Sequence, residues 1–298
     1  MSPNRRYAYK TEHMKTKAIK DLSQLNDSDL FIQISEGLDL IIEHMYSIEA
    51  DVQYLSEQNK KCGFNILNAI LKEEASKFLT LLDAIRCPRV PSDNFSKQLG
   101  RFNDHLAKGI YALVYDLRPV DFGDIHETIE RECHKYYLDG PNSVDWIFRN
   151  EILQMREENI YVDYIESDGD HMWLTPKRYY HPELSLFTPY LRPQVVEVST
   201  ALWQAGCTKP NSLLLIANNW RSIQMTDDFS WRQLTELNCK TLEELDNHNL
   251  LNTQQETACS TIINKWLFPL YSIDIRIIKV DKEKLKEIRE DRFFNMYY

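Results

Sequence analysis

The apolar residues of this chain recur at spacings of three and four, and this rhythm constrains the fold more than any other feature. A first segment follows Asn26, a residue type that often caps helices. Its apolar residues are Leu30, Ile34, Leu38, Ile41, Met45, Ile48, Val52 and Leu55. Two further segments with helical periodicity cover residues 63–88 and 95–116. Together the three segments predict an antiparallel helical bundle.

The second segment has an acidic residue on its apolar face. At about 100° of rotation per residue, Glu74 falls inside the apolar arc, whereas Glu73 and Lys77 lie at or beyond its edge. A buried carboxylate without a partner is costly, so we expect Glu74 to be buried against Lys77, Arg101 or Lys108. Such a carboxylate belongs either to a structural ion pair or to a functional site.

The third segment carries a basic stripe of three residues, Arg101, His105 and Lys108, away from its apolar face. On one helix these residues lie at i, i+4 and i+7 and point the same way. A histidine can transfer a proton near neutral pH, and an arginine can stabilise the negative charge of a phosphorane. The stripe is therefore expected to line a cleft, a partner surface or, as the alternative, solvent.

The order of these motifs resembles a known family. The pattern A-x3-E-E-x2-K at residues 69–77, followed by F-x2-H-x2-K at residues 102–108, is similar to the HEPN helical domains of bacterial AbiV-type abortive-infection proteins. Residues 155–176 resemble the segment after that domain, and residues 266–274 (WLFPLYSID) resemble the C-terminal element of larger members. The resemblance covers most of residues 25–180. It implies a mainly α fold: a HEPN-like antiparallel helical bundle with a small β-hairpin and a helical C-terminal region.

The resemblance also implies a function in antiviral defence. Arg101 and His105 would be the catalytic residues of a metal-independent endoribonuclease toxin that arrests translation, without a cofactor. Paired protomers would juxtapose these residues, so a homodimer is expected. The residues expected to support the site or bind RNA are Glu73, Glu74, Lys77, Asn103, Asp104 and Lys108.

The spacing of the catalytic pair departs from the family. Only three residues separate Arg101 from His105, and Phe102 follows the arginine, whereas HEPN ribonucleases have a longer separation and often a polar residue there. Both residues would still face one way on a helix. The alternative is a non-enzymatic protein that captures a phage-encoded or host translation-related factor to block translation.

Charge and hydropathy limit the partners. The formal net charge of −10 disfavours non-specific binding to nucleic acid. Residues 1–24 nevertheless form a basic arm that could touch RNA or an acidic partner, with a solvated tail as the alternative. Apolar runs such as residues 213–217 are too short to span a bilayer, and no signal segment stands out. We therefore expect a cytoplasmic protein without membrane contact, in which the six cysteines are free thiols.

The remaining segments are shorter. A helix is predicted over residues 143–158, and a hairpin pairs residues 161–165 with residues 172–174. Further helices are predicted over residues 195–205, 212–221, 230–237, 241–249, 257–267 and 282–292, with a β-strand at residues 273–280. The expected divisions are the basic arm, a HEPN-like domain over residues 25–180 and a mostly helical region over residues 181–298.

A metal site is an alternative elsewhere in the chain. His126, Glu130 and His134 recur at i, i+4 and i+8, so one helix face could present all three. They do not form the H-E-x-x-H motif. We favour surface ion pairs of Glu130 with Arg131 or Lys135, and no metal is expected.

Overall fold

The structure is a computed structural model that describes residues 17–90, 92–134, 150–158, 160–167, 170–175, 190–252 and 254–278, with residues 283 and 287. These parts of the chain form ten α-helices and one two-stranded hairpin, which confirms the mainly α class. The helices are α1 (Asp27–Glu57), α2 (Lys61–Arg86), α3 (Ser92–Gly100), α4 (His105–Tyr115), α5 (Phe122–His134), α6 (Glu151–Glu158), α7 (Gln194–Gln204), α8 (Pro210–Trp220), α9 (Trp231–Asn247) and α10 (Glu256–Lys265).

Helices α1 and α2 form the helical hairpin predicted from their periodicity. Asn26 caps α1, because its side chain accepts a hydrogen bond from the backbone N–H of Asp29 at 3.1 Å. The link between the helices contains Asn59 in the left-handed conformation, which asparagine tolerates better than most residues. Most of the apolar stripe of each helix is buried, with Leu38 and Phe78 fully inaccessible to solvent, whereas Leu55 at the end of α1 is half-buried and Ile70 of α2 is exposed.

The single helix predicted over residues 95–116 is wrong, because the chain breaks into α3 and α4. A 3-10 turn, Arg101–Asn103, follows α3, and α4 starts at His105. Asp104 causes the new start: its carboxylate accepts a hydrogen bond from the N–H of Ala107 at 3.2 Å. A short acidic side chain that caps the N-terminus competes with continuation of the preceding helix.

The C-terminal helices pack directly on the N-terminal ones. The Ser199 hydroxyl of α7 donates to the carbonyl of Ala75 in α2 at 3.3 Å, and the Arg221 Nε after α8 donates to the carbonyl of Ile85 at 3.0 Å. Described residues from both expected regions, 25–180 and 181–298, thus contribute to one hydrophobic core.

Two predictions for the C-terminal part are wrong. The separate helices at residues 230–237 and 241–249 form the continuous α9, which begins with a capping box between Ser230 and Gln233. The predicted strand at residues 273–280 is not formed, since the described residues 266–278 adopt neither helix nor strand. β-Branched residues favour a strand only where a neighbouring strand can pair with them.

The hairpin is confirmed. Strand β1 (Asp163–Ser167) pairs antiparallel with β2 (Asp170–Leu174), and Tyr164 lies opposite Trp173. Asp168 and Gly169, which link the two strands, lie outside the described residues, as do residues 1–16 of the basic arm and most of the helix predicted over residues 282–292. The helix predicted over residues 143–158 is confirmed in its second half, where α6 (Glu151–Glu158) forms, and residues 143–149 lie outside the described residues.

Two simpler expectations concern thiols and membranes. All six cysteines are free thiols, as predicted. No helix in the part of the chain that the structure describes combines the length and apolarity needed to cross a membrane.

Candidate functional site

Glu73 of α2 is the centre of a polar cluster that unites some of the predicted site residues. Its carboxylate accepts a hydrogen bond from Lys108 Nζ at 2.7 Å and one from Arg156 Nε at 2.7 Å. His105 Nδ1 lies 3.1 Å from Oε2 and 3.2 Å from Oε1 of the same carboxylate. We call Glu73, His105, Lys108 and Arg156 the Glu73 cluster. One carboxylate thus faces two permanent cations and one titratable ring.

Three helices position this cluster. His105 is the first residue of α4, and Lys108 lies one turn further along the same helix, so both reach towards α2. Helix α6 brings Arg156 close because it packs against α4 at Gly109. A Cβ atom at that glycine would collide with Ile152 of α6, so the lack of a side chain permits the close approach.

Burial and charge oppose each other at Glu73. Burial of the carboxylate raises its pKa. Its partners lower the pKa by more in total: Lys108 through its hydrogen bond and its charge, Arg156 through its hydrogen bond, and His105 through its charge. The net effect is a pKa below the ordinary value of 4.5. The carboxylate is therefore charged at neutral pH. Two positive charges against one negative charge leave the cluster able to attract an anion.

The side chains of the Glu73 cluster differ in their exposure to solvent. The Lys108 side chain is only 4% exposed, whereas the His105 side chain is 45% exposed. Arg156 has intermediate exposure. One carboxylate thus holds a buried cation, a solvent-accessible imidazole and a partly accessible guanidinium. Together these groups can bind a phosphate group, and the imidazole can transfer a proton to or from it.

Arg101 lies away from this cluster, contrary to the shared stripe predicted from the sequence. Its side chain is buried, and the guanidinium donates to the carbonyls of Leu270, at 2.7 Å, and Ile273. It also donates to Gln98 Oε1 at 2.7 Å. The helix break after Arg101 changes its direction relative to His105, and the C-terminal segment supplies its acceptors.

The other predicted residues have local roles. Glu74 pairs with Lys77 at 2.5 Å, and Lys77 is one of the three partners expected from the sequence. The Glu74 side chain is 14% exposed. The Lys77 ammonium also lies 5.4 Å from the centre of the Phe102 ring. Asp104 is the cap of α4, and Asn103 is a half-buried residue of the 3-10 turn.

Arg156 is a cluster residue that the sequence did not indicate. It lies within the motif at residues 155–176, but 83 positions separate it from Glu73. No local spacing predicts such a contact. The available signal was a basic residue within a charged helix end, which is common on protein surfaces.

The alternative metal triad does not converge. His126 Nδ1 lies 3.2 Å from Asp227 Oδ1, and His134 Nδ1 lies 2.7 Å from the backbone carbonyl of Glu130. Within the described ranges, no group of three or more His, Cys, Asp or Glu residues is arranged to hold a metal ion.

Comparison with known proteins does not assign a family. No protein-family model matches the chain, and no curated protein and no solved structure is significantly similar to it.

The lowered pKa of Glu73 predicts a pH-dependent stability. A carboxyl whose pKa is lower in the folded state stabilises the fold above its unfolded pKa, and this contribution disappears as the pH falls through the folded value. We expect Glu73→Gln to reduce the free energy of unfolding most near neutral pH and progressively less below about pH 4.5. Urea unfolding of both proteins across this range measures the difference. A difference that does not change with pH would contradict the charged network.

Proposed function

We propose that this chain is a bacterial anti-phage, abortive-infection protein of the AbiV type with a HEPN-like helical domain. In this proposal it acts in the cytoplasm as a metal-independent endoribonuclease toxin that arrests translation. The observation that best supports the chemistry is the Glu73 cluster, in which a half-exposed His105 is held by a carboxylate next to Lys108 and Arg156.

The cluster matches the needs of RNA transphosphorylation. In that reaction the 2′-oxygen attacks the phosphorus and loses its proton, and the leaving 5′-oxygen gains one. His105 can carry either proton, since Glu73 binds Nδ1 and leaves Nε2 for the substrate. Lys108 and Arg156 would stabilise the negative charge that develops on the phosphorane. In this proposal Arg156 takes the electrostatic role that the resemblance assigned to Arg101.

One copy of the cluster contains a single histidine, whereas the reaction needs two proton transfers. We therefore propose a homodimer in which two Glu73 clusters approach each other across a two-fold axis. Light scattering at micromolar concentration is expected to give about twice the chain mass of 35.3 kDa. The monomer mass under these conditions would contradict the paired site.

Incubation of the purified protein with total RNA in EDTA tests the activity. Cleavage is expected to persist, because the proposed proton transfers need no metal ion. A His105→Ala protein prepared in the same way serves as the negative control. Intact RNA after incubation with wild-type dimer would refute the ribonuclease and favour the second function.

The second candidate is a non-enzymatic protein that captures a phage or host factor, and the hairpin favours it. Tyr164 and Trp173 are paired across the strands with ring centroids 5.0 Å apart, and they are 54% and 61% exposed. The sequence from residue 157 to 176 contains six acidic residues and no Lys or Arg. Exposed aromatic rings among acidic residues suit a protein partner with Lys or Arg side chains. Phage protection that survives His105→Ala but is lost in Trp173→Ala would favour this function.

A further inference from the structure

We infer that Arg101 is a positioning residue, through which the C-terminal segment, residues 266–273, sets the place of His105. The catalytic part of this inference rests on the proposed ribonuclease function. The structural part rests on the contacts of Arg101 alone. The inference gives the C-terminal half of the chain a role in the site without contact with a substrate.

The peptide group of Leu270 is held from both sides. Its N–H donates to Asp83 Oδ2 at 2.8 Å, and its carbonyl accepts from Arg101 Nη1 at 2.7 Å. Arg101 Nη2 also donates to the carbonyl of Ile273. Asp83 and Arg101 are both buried, so these hydrogen bonds are shielded from water. The C-terminal segment is therefore fixed to α2 and to the 3-10 turn that precedes α4.

Short backbone and side-chain contacts connect Arg101 to the start of α4. The carbonyl of Arg101 accepts the N–H of Asp104 at 3.0 Å, and the carbonyl of Asp104 accepts the N–H of Lys108 at 3.1 Å. The Asp104 carboxylate caps Ala107 within the same turn. His105 lies inside this turn. A movement of Arg101 therefore displaces the backbone that carries the imidazole.

A second path reaches α4 through its buried face. Gln98 accepts from Arg101 and donates to the Tyr111 hydroxyl at 2.8 Å, and Tyr111 donates to Asp83 Oδ2 at 2.6 Å. Burial, the charge of Asp83 and the hydrogen bond to Asp83 raise the pKa of Tyr111 well above 10, so the hydroxyl keeps its proton. The network therefore holds the chain at Arg101, one turn before the Asp104 cap, and within α4 at Tyr111, two turns after the cap.

The geometry requires arginine. Two backbone carbonyls and one amide oxygen surround the side chain, and a planar guanidinium can donate to three acceptors at fixed angles. A lysine would keep the charge but present a single ammonium group. We therefore use Arg101→Lys to disturb the position of His105 while the buried positive charge is kept.

Leu234→Ala is the matched control. Leu234 is a fully buried residue of α9, and its truncation destabilises the fold without removing a contact of the network. The temperature of measurement is chosen so that both variants are folded, as judged by circular dichroism. Any difference between the two variants then reports on position and not on stability.

The first readout is the NMR signal of the His105 ring, identified by its absence in His105→Ala. Arg101→Lys is expected to shift this signal and its pH titration, whereas Leu234→Ala leaves both unchanged. The second readout is RNA cleavage. Arg101→Lys is expected to lower kcat by about 10²-fold with little change in KM, because a misplaced general acid or base affects the transition state more than binding.

The two readouts separate the two hypotheses. If the wild-type protein does not cleave RNA but Arg101→Lys still shifts the His105 signal, the proposed function is refuted and the positioning role stands. An Arg101→Lys protein whose His105 titration and kcat match those of Leu234→Ala would refute the positioning role, whatever the activity of the wild type.

Discussion

An Arg86→Ala protein is expected to lose roughly 3–5 kcal/mol of folding free energy, because the substitution breaks a buried ion pair and leaves the buried carboxylate without its paired cation. Arg86 is fully buried and pairs with Asp83 one turn earlier in α2. Its Nη1 also donates to the carbonyl of Leu267 at 2.9 Å. Both hydrogen bonds lie at a position without solvent access.

The loss includes packing as well as charge. The guanidinium contacts two indole rings, at 4.5 Å from the centre of Trp220 and 4.4 Å from that of Trp266, and these rings also pack against each other with centroids 5.2 Å apart. Alanine would leave a cavity beside the two rings and remove both cation–π contacts. Arg86→Met keeps most of the volume, so the difference between the two variants separates the packing loss from the charge loss.

Chemical denaturation of wild type, Arg86→Ala and a surface control measures the effect. Arg232→Ala is the control, since its side chain is 88% exposed and pairs with Glu236 within α9. The control is expected to cost at most about 0.5 kcal/mol. An Arg86→Ala protein as stable as the control would mean that the charge pair contributes nothing to the fold.

The sequence predicted the helices whose signals are local. Apolar residues recur at helical spacing from Leu30 to Leu55 and within residues 63–88, and Asn26 marks the start of the first helix. Both α1 and α2 could therefore be recognised. The break between α3 and α4 was missed. Asp104 looks like a polar residue on a helix surface until its carboxylate is seen to cap Ala107.

The site was predicted only in part for the same reason. Glu73, His105 and Lys108 were named, but their grouping around Glu73 depends on how α2 and α4 pack. Glu74 was placed inside the apolar arc, and it pairs locally with Lys77. Glu73 lies at the edge of that arc, and an edge position is the one from which a side chain can reach two neighbouring helices.

The long-range partners carried no local signal. Arg156 reaches Glu73 across 83 positions, and Arg101 reaches Leu270 across 169. Arg101 was assigned to a stripe away from the apolar face because a continuous helix would have placed it there. Its actual acceptors are backbone carbonyls of a segment that forms neither helix nor strand, and any residue type supplies such carbonyls.

If the chain is the proposed ribonuclease, His105→Ala is expected to reduce RNA cleavage by about 10²–10⁴-fold, the usual contribution of a general acid or base. The fold should persist, because a half-exposed side chain at the first position of α4 costs about 1 kcal/mol or less when truncated. RNA affinity should change little, since Lys108 and Arg156 remain. The variant therefore separates proton transfer from binding.

His126→Ala is the matched control for this experiment. His126 is also about half-exposed, at 49%, and its Nδ1 faces the Asp227 carboxylate at 3.2 Å, so the same substitution removes a similar contact from α5. Cleavage and phage protection by this variant are expected to equal those of wild type. Equal losses in both variants would indicate damage to the fold and not to a site.

Phage protection decides whether the chemistry matters in the cell. If the ribonuclease causes abortive infection, His105→Ala must lose protection and RNA cleavage together, while the folded protein still binds RNA. Full protection by a folded His105→Ala protein would separate the Glu73 cluster from defence. The protective surface would then have to lie elsewhere, and the aromatic pair Tyr164 and Trp173 on the hairpin would be the first to replace, because rings that remain more than half exposed are available to a partner.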